Sequence, residues 1–262
     1  MKSTQLRGIV DLINHPIKNT DYRSNCKEKL DKNGVLVLDN FLTQKAIDRI
    51  LIEADKYKSL AYYCTNYHNV YLNKQDDSLP KSHPRSRKII SSKGCITDDQ
   101  VPIDSPLRVL YSSDEFQDFL CAVLGEMELH NYYDSLSSIN IHYAKQGQEL
   151  GWHFDNSSFA ITLLIQKPTK GGQFEYIRDF RYDSQGVDNY KDIEGLLDGI
   201  IEPNLLVMNP GSLVLFRGKE SIHRVTPVEG NKVRILSVLA YNSEPNIALS
   251  EEARMTFYGR LK

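Results

Sequence analysis

Gly151-Trp152-His153-Phe154-Asp155 decides how this chain is read. It follows the apolar run Ser138-Ile139-Asn140-Ile141-His142-Tyr143 and a turn through Gly147, and it precedes a second run, Phe159-Ala160-Ile161-Thr162-Leu163-Leu164-Ile165. In an extended segment, residues two apart share a face. His153 and Asp155 therefore converge on one side of a strand, with Trp152 and Phe154 on the other. One imidazole and one carboxylate on a common face supply two of the three protein ligands of a 2-His-1-carboxylate metal site. Alone the pair is weak, because a chain with seven histidines often carries a His-x-Asp by chance. A third ligand has to come from elsewhere.

Downstream, Asn209-Pro210-Gly211 marks a turn, and Ser212-Leu213-Val214-Leu215-Phe216 follows as an apolar strand. Next comes Ser221-Ile222-His223-Arg224-Val225-Thr226-Pro227, a short strand carrying a histidine among apolar neighbours. Arg234 then lies inside Lys232-Val233-Arg234-Ile235-Leu236-Ser237-Val238-Leu239-Ala240-Tyr241. An arginine in so apolar a strand must leave the sheet or meet a carboxylate, because an unpaired buried guanidinium is costly.

These runs belong to a wider texture. From about residue 128, short apolar stretches at 136–143, 159–166, 172–177, 205–208, 212–216, 222–227 and 233–241 are broken by turn signals such as Gly171-Gly172. Such spacing predicts a sandwich, barrel or jelly roll. The polar, tyrosine-bearing interval 178–204 reads as an insertion between strands that serves as a lid. Upstream, Gly34-Val35-Leu36-Val37-Leu38-Asp39 reads as a buried strand, followed by a helix capped by Thr43 with Ala46, Ile47, Ile50, Leu51 and Ala54 on its apolar face. Residues 60–106 read as irregular, with a proline- and cation-bearing loop at Leu79–Arg87. Glu115–Leu124 reads as a helix ended by Gly125, and Ser250–Tyr258 as a capped C-terminal helix. Residues 1–30 are expected to form a short helix and a loosely packed lead-in. The expected fold is α+β with a mainly β core. A helical and mixed region, 1–127, packs on a core at 128–245, and 246–262 forms the C-terminal helix of the same single domain.

Composition narrows the function classes. Hydrophobic residues at 40% and charged residues at 25% describe an ordinary globular protein, and a formal net charge of −2 argues against a general nucleic-acid or anionic-membrane surface. Cys26, Cys64, Cys95 and Cys121 show no short paired spacing, so reduced, half-buried thiols are expected rather than a disulfide framework or zinc site. Residues 1–14 lack the apolar core of a signal peptide, and no apolar run approaches membrane-spanning length. A soluble protein of a reducing compartment, by default the cytoplasm, without nucleic-acid or membrane partners, is the expectation.

His153-x-Asp155, the distal His223 and Arg234 together resemble the iron(II)/2-oxoglutarate-dependent dioxygenases, whose core is a double-stranded β-helix, a jelly roll of cupin type. The motif match with the β-rich texture covers 128–245. The match over 1–127 is looser, although the strand at 34–39 and its following helix resemble the opening of many members. The resemblance implies Fe(II), 2-oxoglutarate and O₂, with iron on His153, Asp155 and His223 as the catalytic centre and Arg234 on the distal carboxylate of 2-oxoglutarate. It also implies release of succinate and CO₂ as a substrate C–H is oxidised. Tyr143 is a candidate to donate its hydroxyl to 2-oxoglutarate, with simple packing as the alternative.

Gly151-Trp152-His153, Gly171-Gly172-Gln173-Phe174-Glu175-Tyr176 and Ile222-His223-Arg224-Val225-Thr226-Pro227 are most similar to the group of free-amino-acid hydroxylases and radical halogenases. Halogenases of that group replace the metal carboxylate by a small residue, whereas this chain has Asp155. The Arg-x-Ser pair of the penicillin-synthase branch is absent, since Ser237 lies three residues from Arg234 on the opposite strand face. Trp152 is expected to pack in the core, and His83, His130 and His142 to be ordinary hydrogen-bonding histidines.

Arg85 and Arg87 are candidates to pair a substrate carboxylate from a loop over the barrel mouth, the alternative being a solvated basic loop. Asn156 and Asn242 are further substrate-binding candidates, with Arg254 and Arg260 as supporting contacts. The expected activity is hydroxylation of an unactivated C–H of a free amino acid or amino-acid-derived metabolite. Desaturation or oxidative cyclisation of the kainoid type, a protein or peptidyl hydroxylase, and a non-catalytic jelly-roll binding protein are the alternatives.

Overall fold

The computed structural model describes residues 6–262. In chain order the elements are α1 (Thr20–Asn33), β1 (Val35–Leu38), α2 (Gln44–Tyr57), β2 (Tyr62–His68), β3 (Ile89–Ile96), α3 (Pro106–Tyr111), α4 (Asp114–Leu124), β4 (His130–Asn131), β5 (Ile139–Ala144), β6 (Leu150–His153), β7 (Ala160–Gln166), β8 (Lys170–Gly171), β9 (Phe174–Ile177), α5 (Tyr190–Leu197), β10 (Asn204–Leu206), β11 (Leu213–Phe216), β12 (Ile222–Val225), β13 (Val228–Glu229), β14 (Arg234–Leu239), β15 (Tyr241–Asn242) and α6 (Glu251–Tyr258).

The long sheet runs in the order β1-β11-β7-β14-β5-β3-β6-β12-β9-β10, with every pairing antiparallel. Strand β3 is the joint: it pairs with β5 through Gly94–Ile96 and with β6 through Ser91. The two halves on either side of it close on one another. Leu164, Val214, Phe216 and Leu236 from one wall form a buried cluster with Phe174, Tyr176, Leu206 and Met208 from the other. This is the double-stranded β-helix that the resemblance implied, one of the forms that the spacing of apolar runs and turns left open.

Alternation then sorts each strand into two faces. On the outer face, Ile139, Ile141, Tyr143, Ile161, Leu163, Leu215 and Ile235 pack beneath the helices against Leu30, Ile50, Phe116 and Leu120. Helix α2 earns that position through Thr43, whose hydroxyl accepts the Ala46 amide at 3.2 Å, and through its buried stripe Ala46, Ile47, Ile50 and Ala54. Gly125, at φ 81°, ends α4 in the left-handed conformation that favours glycine. The four cysteines are free thiols. No helix among the described residues is long and apolar enough to cross a membrane.

Three expectations are corrected. The lead-in is not loose: Leu6, Ile17 and Leu30 are fully buried, and α1 runs for 14 residues from an Asn19 cap to Gly34. Nor are residues 60–106 irregular throughout, because β2 and β3 form a seven-pair hairpin within them. Its strands mix Tyr, Ser and Cys with Ile and lack clean apolar alternation, so main-chain pairing rather than a hydrophobic face defines them. Finally, 178–204 is more than a polar insertion, because its helix is anchored by apolar side chains. Ile193 and Leu196 of α5 pack with Trp152, Phe154 and Ile222 on the outer face of β6 and β12, which braces the smaller wall from behind.

Candidate metal centre and its cosubstrate cavity

Strands β6 and β12 set His153 directly opposite His223 in register, and the two rings lie 4.2 Å apart centre to centre. Asp155 follows just past the end of β6, where its amide donates to the Gly218 carbonyl at 3.0 Å. Its Oδ1 lies 3.6 Å from Nε2 of both histidines. One ligand atom from each residue falls within 4.8 Å of the others, a grouping able to hold a metal ion. Gly218 makes room for the carboxylate, since a Cβ there would come within 1.9 Å of Asp155 Oδ2.

The hydrogen bonds fix the tautomers. Nδ1 of His153 lies 2.7 Å from the Gly151 carbonyl, and Nδ1 of His223 lies 3.0 Å from the Ser221 carbonyl. A carbonyl can only accept, so both Nδ1 atoms carry the proton and both Nε2 lone pairs are free for a metal. Burial, followed by the charge of His223, holds His153 down to about 3, so it is a neutral imidazole. Burial works against the charge on Asp155, but His223 beside it, then His153 and Lys93, hold its carboxyl below the ordinary value. Two imidazoles that present Nε2 and one carboxylate with a free face suit a six-coordinate Fe(II) and leave positions open.

Behind these groups sits a supporting network. His68 donates from Nδ1 to the Asn69 carbonyl at 2.8 Å, which leaves its Nε2 to accept from the Ser91 hydroxyl at 2.7 Å. Ser91 Oγ in turn accepts the Gly151 amide at 3.1 Å, and so ties β3 to the residue whose carbonyl orients His153. Phe174 stacks on the His223 ring at 5.4 Å and Phe216 meets it edge-on at 4.8 Å.

Arg234 starts β14 on the inner face, opposite Ala144 of β5. It is 6% exposed and borders a cavity of about 370 Å³ that Leu164, Phe174, Leu206 and Met208 line. No carboxylate among the described residues pairs with it, and burial alone pulls its guanidinium down to about 10. An arginine left without a counter-ion at the end of an apolar cavity fits the far carboxylate of a dicarboxylic acid such as 2-oxoglutarate. Gly172 lets the chain pass close by, because a Cβ there would sit 3.1 Å from Arg234 Cδ.

The other expected site residues divide. Tyr143 is corrected: it points to the outer face, where its hydroxyl donates to the Ala54 carbonyl at 2.8 Å, so it cannot serve a cosubstrate inside the barrel. The parity of β5 is the reason, since Arg234 and Ala144 share the inner face with His142. Arg85 pairs with Asp76 at 3.3 Å, and Arg87 pairs with Asp198 at the end of α5 and donates to the Ser82 carbonyl. Both loop cations thus already have carboxylate partners. Asn156 is exposed beside Asp155. Asn242 pairs with His130 across β15 and β4 and keeps a buried amide nitrogen without a partner. Arg254 donates to the Leu261 carbonyl, and Arg260 binds Thr97 and Asp99.

Trp152 packs outward as expected, with Arg224 over its ring and paired to Glu175. His83 lies against Tyr190, and His130 faces Glu128. His142 does hydrogen-bond, but inside the barrel, with its Nε2 3.0 Å from Lys93 Nζ. Lys93 went unremarked in the sequence. A lysine within Ile89-Ile90-Ser91-Ser92-Lys93-Gly94-Cys95-Ile96 carries the same signal as Arg234, a cation in a strand, once that run is recognised as a strand.

A family model described as Halogenase D matches residues 18–257. Among solved structures, the chain is similar to an oxidoreductase of the 2OG-Fe(II) oxygenase family from Burkholderia pseudomallei, at 14% identity over 88% of this chain and 94% of that one, with a TM-score of 0.54. A prolyl hydroxylase from Trichoplax adhaerens, in complex with a hypoxia-inducible-factor peptide, matches at 14% identity over 86% and 91%, with a TM-score of 0.53. SnoK, a non-heme α-ketoglutarate-dependent carbocyclase from nogalamycin biosynthesis, matches at 8% identity over 83% and 82%, with a TM-score of 0.56. At these identities the likenesses speak for the fold. A comparison with curated protein sequences finds no match. Taken with the facial donor set and the family match across nearly the whole chain, the protein belongs to the Halogenase D family and is an iron(II)/2-oxoglutarate oxygenase, an oxidoreductase that uses Fe(II), 2-oxoglutarate and O₂.

Proposed function

We propose that this enzyme hydroxylates an unactivated C–H of a free amino acid or an amino-acid-derived small molecule. His153, Asp155 and His223 hold the iron, and Arg234 binds the distal carboxylate of 2-oxoglutarate. The observation that carries the assignment is the convergence of these three ligand atoms in a barrel whose only neighbouring arginine on β14 is buried and without a carboxylate partner. Bound iron supplies the oxidising chemistry that couples 2-oxoglutarate decarboxylation to C–H cleavage. The chain's own groups do the rest. Gly151 and Ser221 carbonyls hold both imidazoles as Nε2 donors, and Gly218 backs the Asp155 carboxylate. Phe174 and Phe216 exclude water beside His223, while Arg234 aligns the cosubstrate by its far end.

Although the family carries the name of a halogenase, Asp155 stands where the resemblance implies a small residue in halogenating members. Its carboxylate occupies the position a halide would need, which supports oxygenation. Desaturation or oxidative cyclisation uses the same ligand set, and the outcome depends on where the substrate radical lies. Residue Asn156, exposed next to Asp155, is a substrate-contact residue in this reading, whereas Arg85 and Arg87 hold their own loop through ion pairs with Asp76 and Asp198.

The test is anaerobic reconstitution with Fe(II) followed by incubation with 2-oxoglutarate, O₂ and a panel of free amino acids, reading succinate and product mass. A gain of one oxygen is expected, and loss of two hydrogens would move the assignment to desaturation or cyclisation. Asp155→Ala should lose iron and turnover by more than the roughly 100-fold typical of changes to outer-shell partners. Turnover confined to a folded protein, or iron binding unaltered in Asp155→Ala, would sink the proposal.

A further inference from the structure

Lys93 is a second cation inside the barrel, and no group described so far uses it. It sits in the middle of β3, the strand that joins the two walls, two residues before the Cys95 that pairs with His142. Its ammonium meets both ring nitrogens of His142, at 3.0 Å to Nε2 and 3.3 Å to Nδ1. From α6 the Phe257 ring faces it at 5.7 Å, and the thiols of Cys64 and Cys95 flank it on the hairpin and on its own strand. Asp155 is the carboxylate that acts on it, and Asp155 is also a proposed iron ligand. Lys93, His142, His153 and Asp155 each keep part of their surface open, and the Lys93 charge reaches Asp155.

The charges of these groups do not balance. His142 touches Lys93 and feels the charge of both Lys93 and Arg234. Neither cation has a carboxylate to itself, and a buried unpaired charge is costly to keep. A divalent iron, Asp155, Lys93 and Arg234 together leave three positive charges. The 2-oxoglutarate dianion removes two. A carboxylate seated on Lys93 would pair the charge that remains; an amino-acid substrate carries one, with its ammonium directed away from Lys93.

We propose that Lys93, supported by His142, is a carboxylate-binding residue of the active site, the counterpart of Arg234 at the other end of the cosubstrate and substrate space. Its ligand is either the near carboxylate of 2-oxoglutarate or the carboxylate of the substrate. His142 acts through Lys93: neutral, it accepts from the ammonium and holds it on the inner face. This inference rests on the proposed iron and 2-oxoglutarate site and deepens it by naming a carboxylate anchor. A merely structural lysine would instead be there to hold β3 to β5.

Lys93→Met and Lys93→Gln, made in the full chain, separate these roles. Metal-free Lys93→Met should unfold at a temperature equal to or above the parent's, because it removes an unpaired buried cation. Anaerobic titration of the Fe(II) protein with 2-oxoglutarate, read by its visible charge-transfer band, is the first arm. If the cosubstrate supplies the carboxylate, affinity falls about 30-fold or more, the loss expected for truncating one partner of a buried charge pair, and Lys93→Arg restores part of it. If the substrate supplies it, 2-oxoglutarate affinity holds. The KM of the amino acid that the parent turns over best then rises by a similar factor while kcat changes less, and the parent's preference for that amino acid over its carboxamide is lost. Unfolding of both variants at lower temperature, or unchanged 2-oxoglutarate affinity together with unchanged KM or with no amino acid turned over, overturns the proposal. A parent that shows no charge-transfer band would instead overturn the underlying site.

Discussion

The two faces of the same few strands obey different rules. On the outer face of β6 and β12, Trp152, Phe154 and Ile222 pack with α5, and Arg224 crosses the indole to reach Glu175 at 2.7 Å. On β5 the outward Tyr143 finishes its hydrogen bond on α2. One residue away along the chain, the inner face carries His153, Asp155, His223, His142, Lys93 and Arg234, where two cations lack carboxylates of their own. The outward Arg224 and Tyr143 are satisfied by the chain, while the inward Lys93 and Arg234 have no carboxylate of their own. A period of two along a strand thus separates stability from chemistry at single-residue resolution.

Breaking that division has graded consequences. Of the two faces, the larger effect on iron is expected from the inner one: Gly218→Ala leaves all ligands in the sequence but sets a methyl 1.9 Å from Asp155 Oδ2. The carboxylate must swing away, so Fe(II) affinity measured by anaerobic titration should fall about 10-fold or more while the fold persists. Unaltered iron affinity would mean that Asp155 is not held against Gly218. On the opposite face, Phe154→Ala should cost about 3–5 kcal/mol of stability in urea unfolding, since Phe154 is 1% exposed. Iron affinity of the remaining folded protein should change far less than in Gly218→Ala, even though Phe154 is bonded to both neighbours of interest. If the two variants lost iron alike, the separation of faces would fail.

A smaller effect concerns pH. Burial, then the charges of Lys93 and Arg234, hold His142 well below its ordinary value of 6.5. The unfolded chain takes up a proton at this position where the folded chain does not. Stability from the neutral, buried ring is therefore complete above about pH 6.5 and is lost as pH falls below it. His153 adds to the same trend down to about 3. The urea midpoint of the metal-free protein should decline on acidification through this window, with a shallower slope in His142→Asn. Parallel slopes would contradict an inward, neutral His142.

Much of this was legible in the sequence because it depends on short-range rules. Periodicity located the strands of the core, Thr43 and Gly125 marked helix ends, and His-x-Asp put two ligand side chains on one face. The distal His223 and Arg234 were found because a polar residue in an apolar strand asks for a reason. What was missed depends on pairing across the chain. The hairpin of β2 and β3 has no apolar stripe to announce it, so Lys93 was hidden within it. Tyr143 and His142 could be assigned to faces only once β5 was registered against Arg234 on β14. The segment 178–204 looked like a cover from its polarity, yet Ile193 and Leu196 anchor it to the outer face.

The central claim is that the inner face is built to hold iron and a dicarboxylate. The most direct measurement is anaerobic titration of the Fe(II) protein with 2-oxoglutarate, comparing Arg234→Met with Tyr143→Phe. Arg234→Met is expected to weaken 2-oxoglutarate by about 2–5 kcal/mol, as for other buried charge pairs, while Tyr143→Phe leaves its affinity at the parental value. Equal affinities for Arg234→Met and the parent, or an equal loss in both variants, would contradict the account.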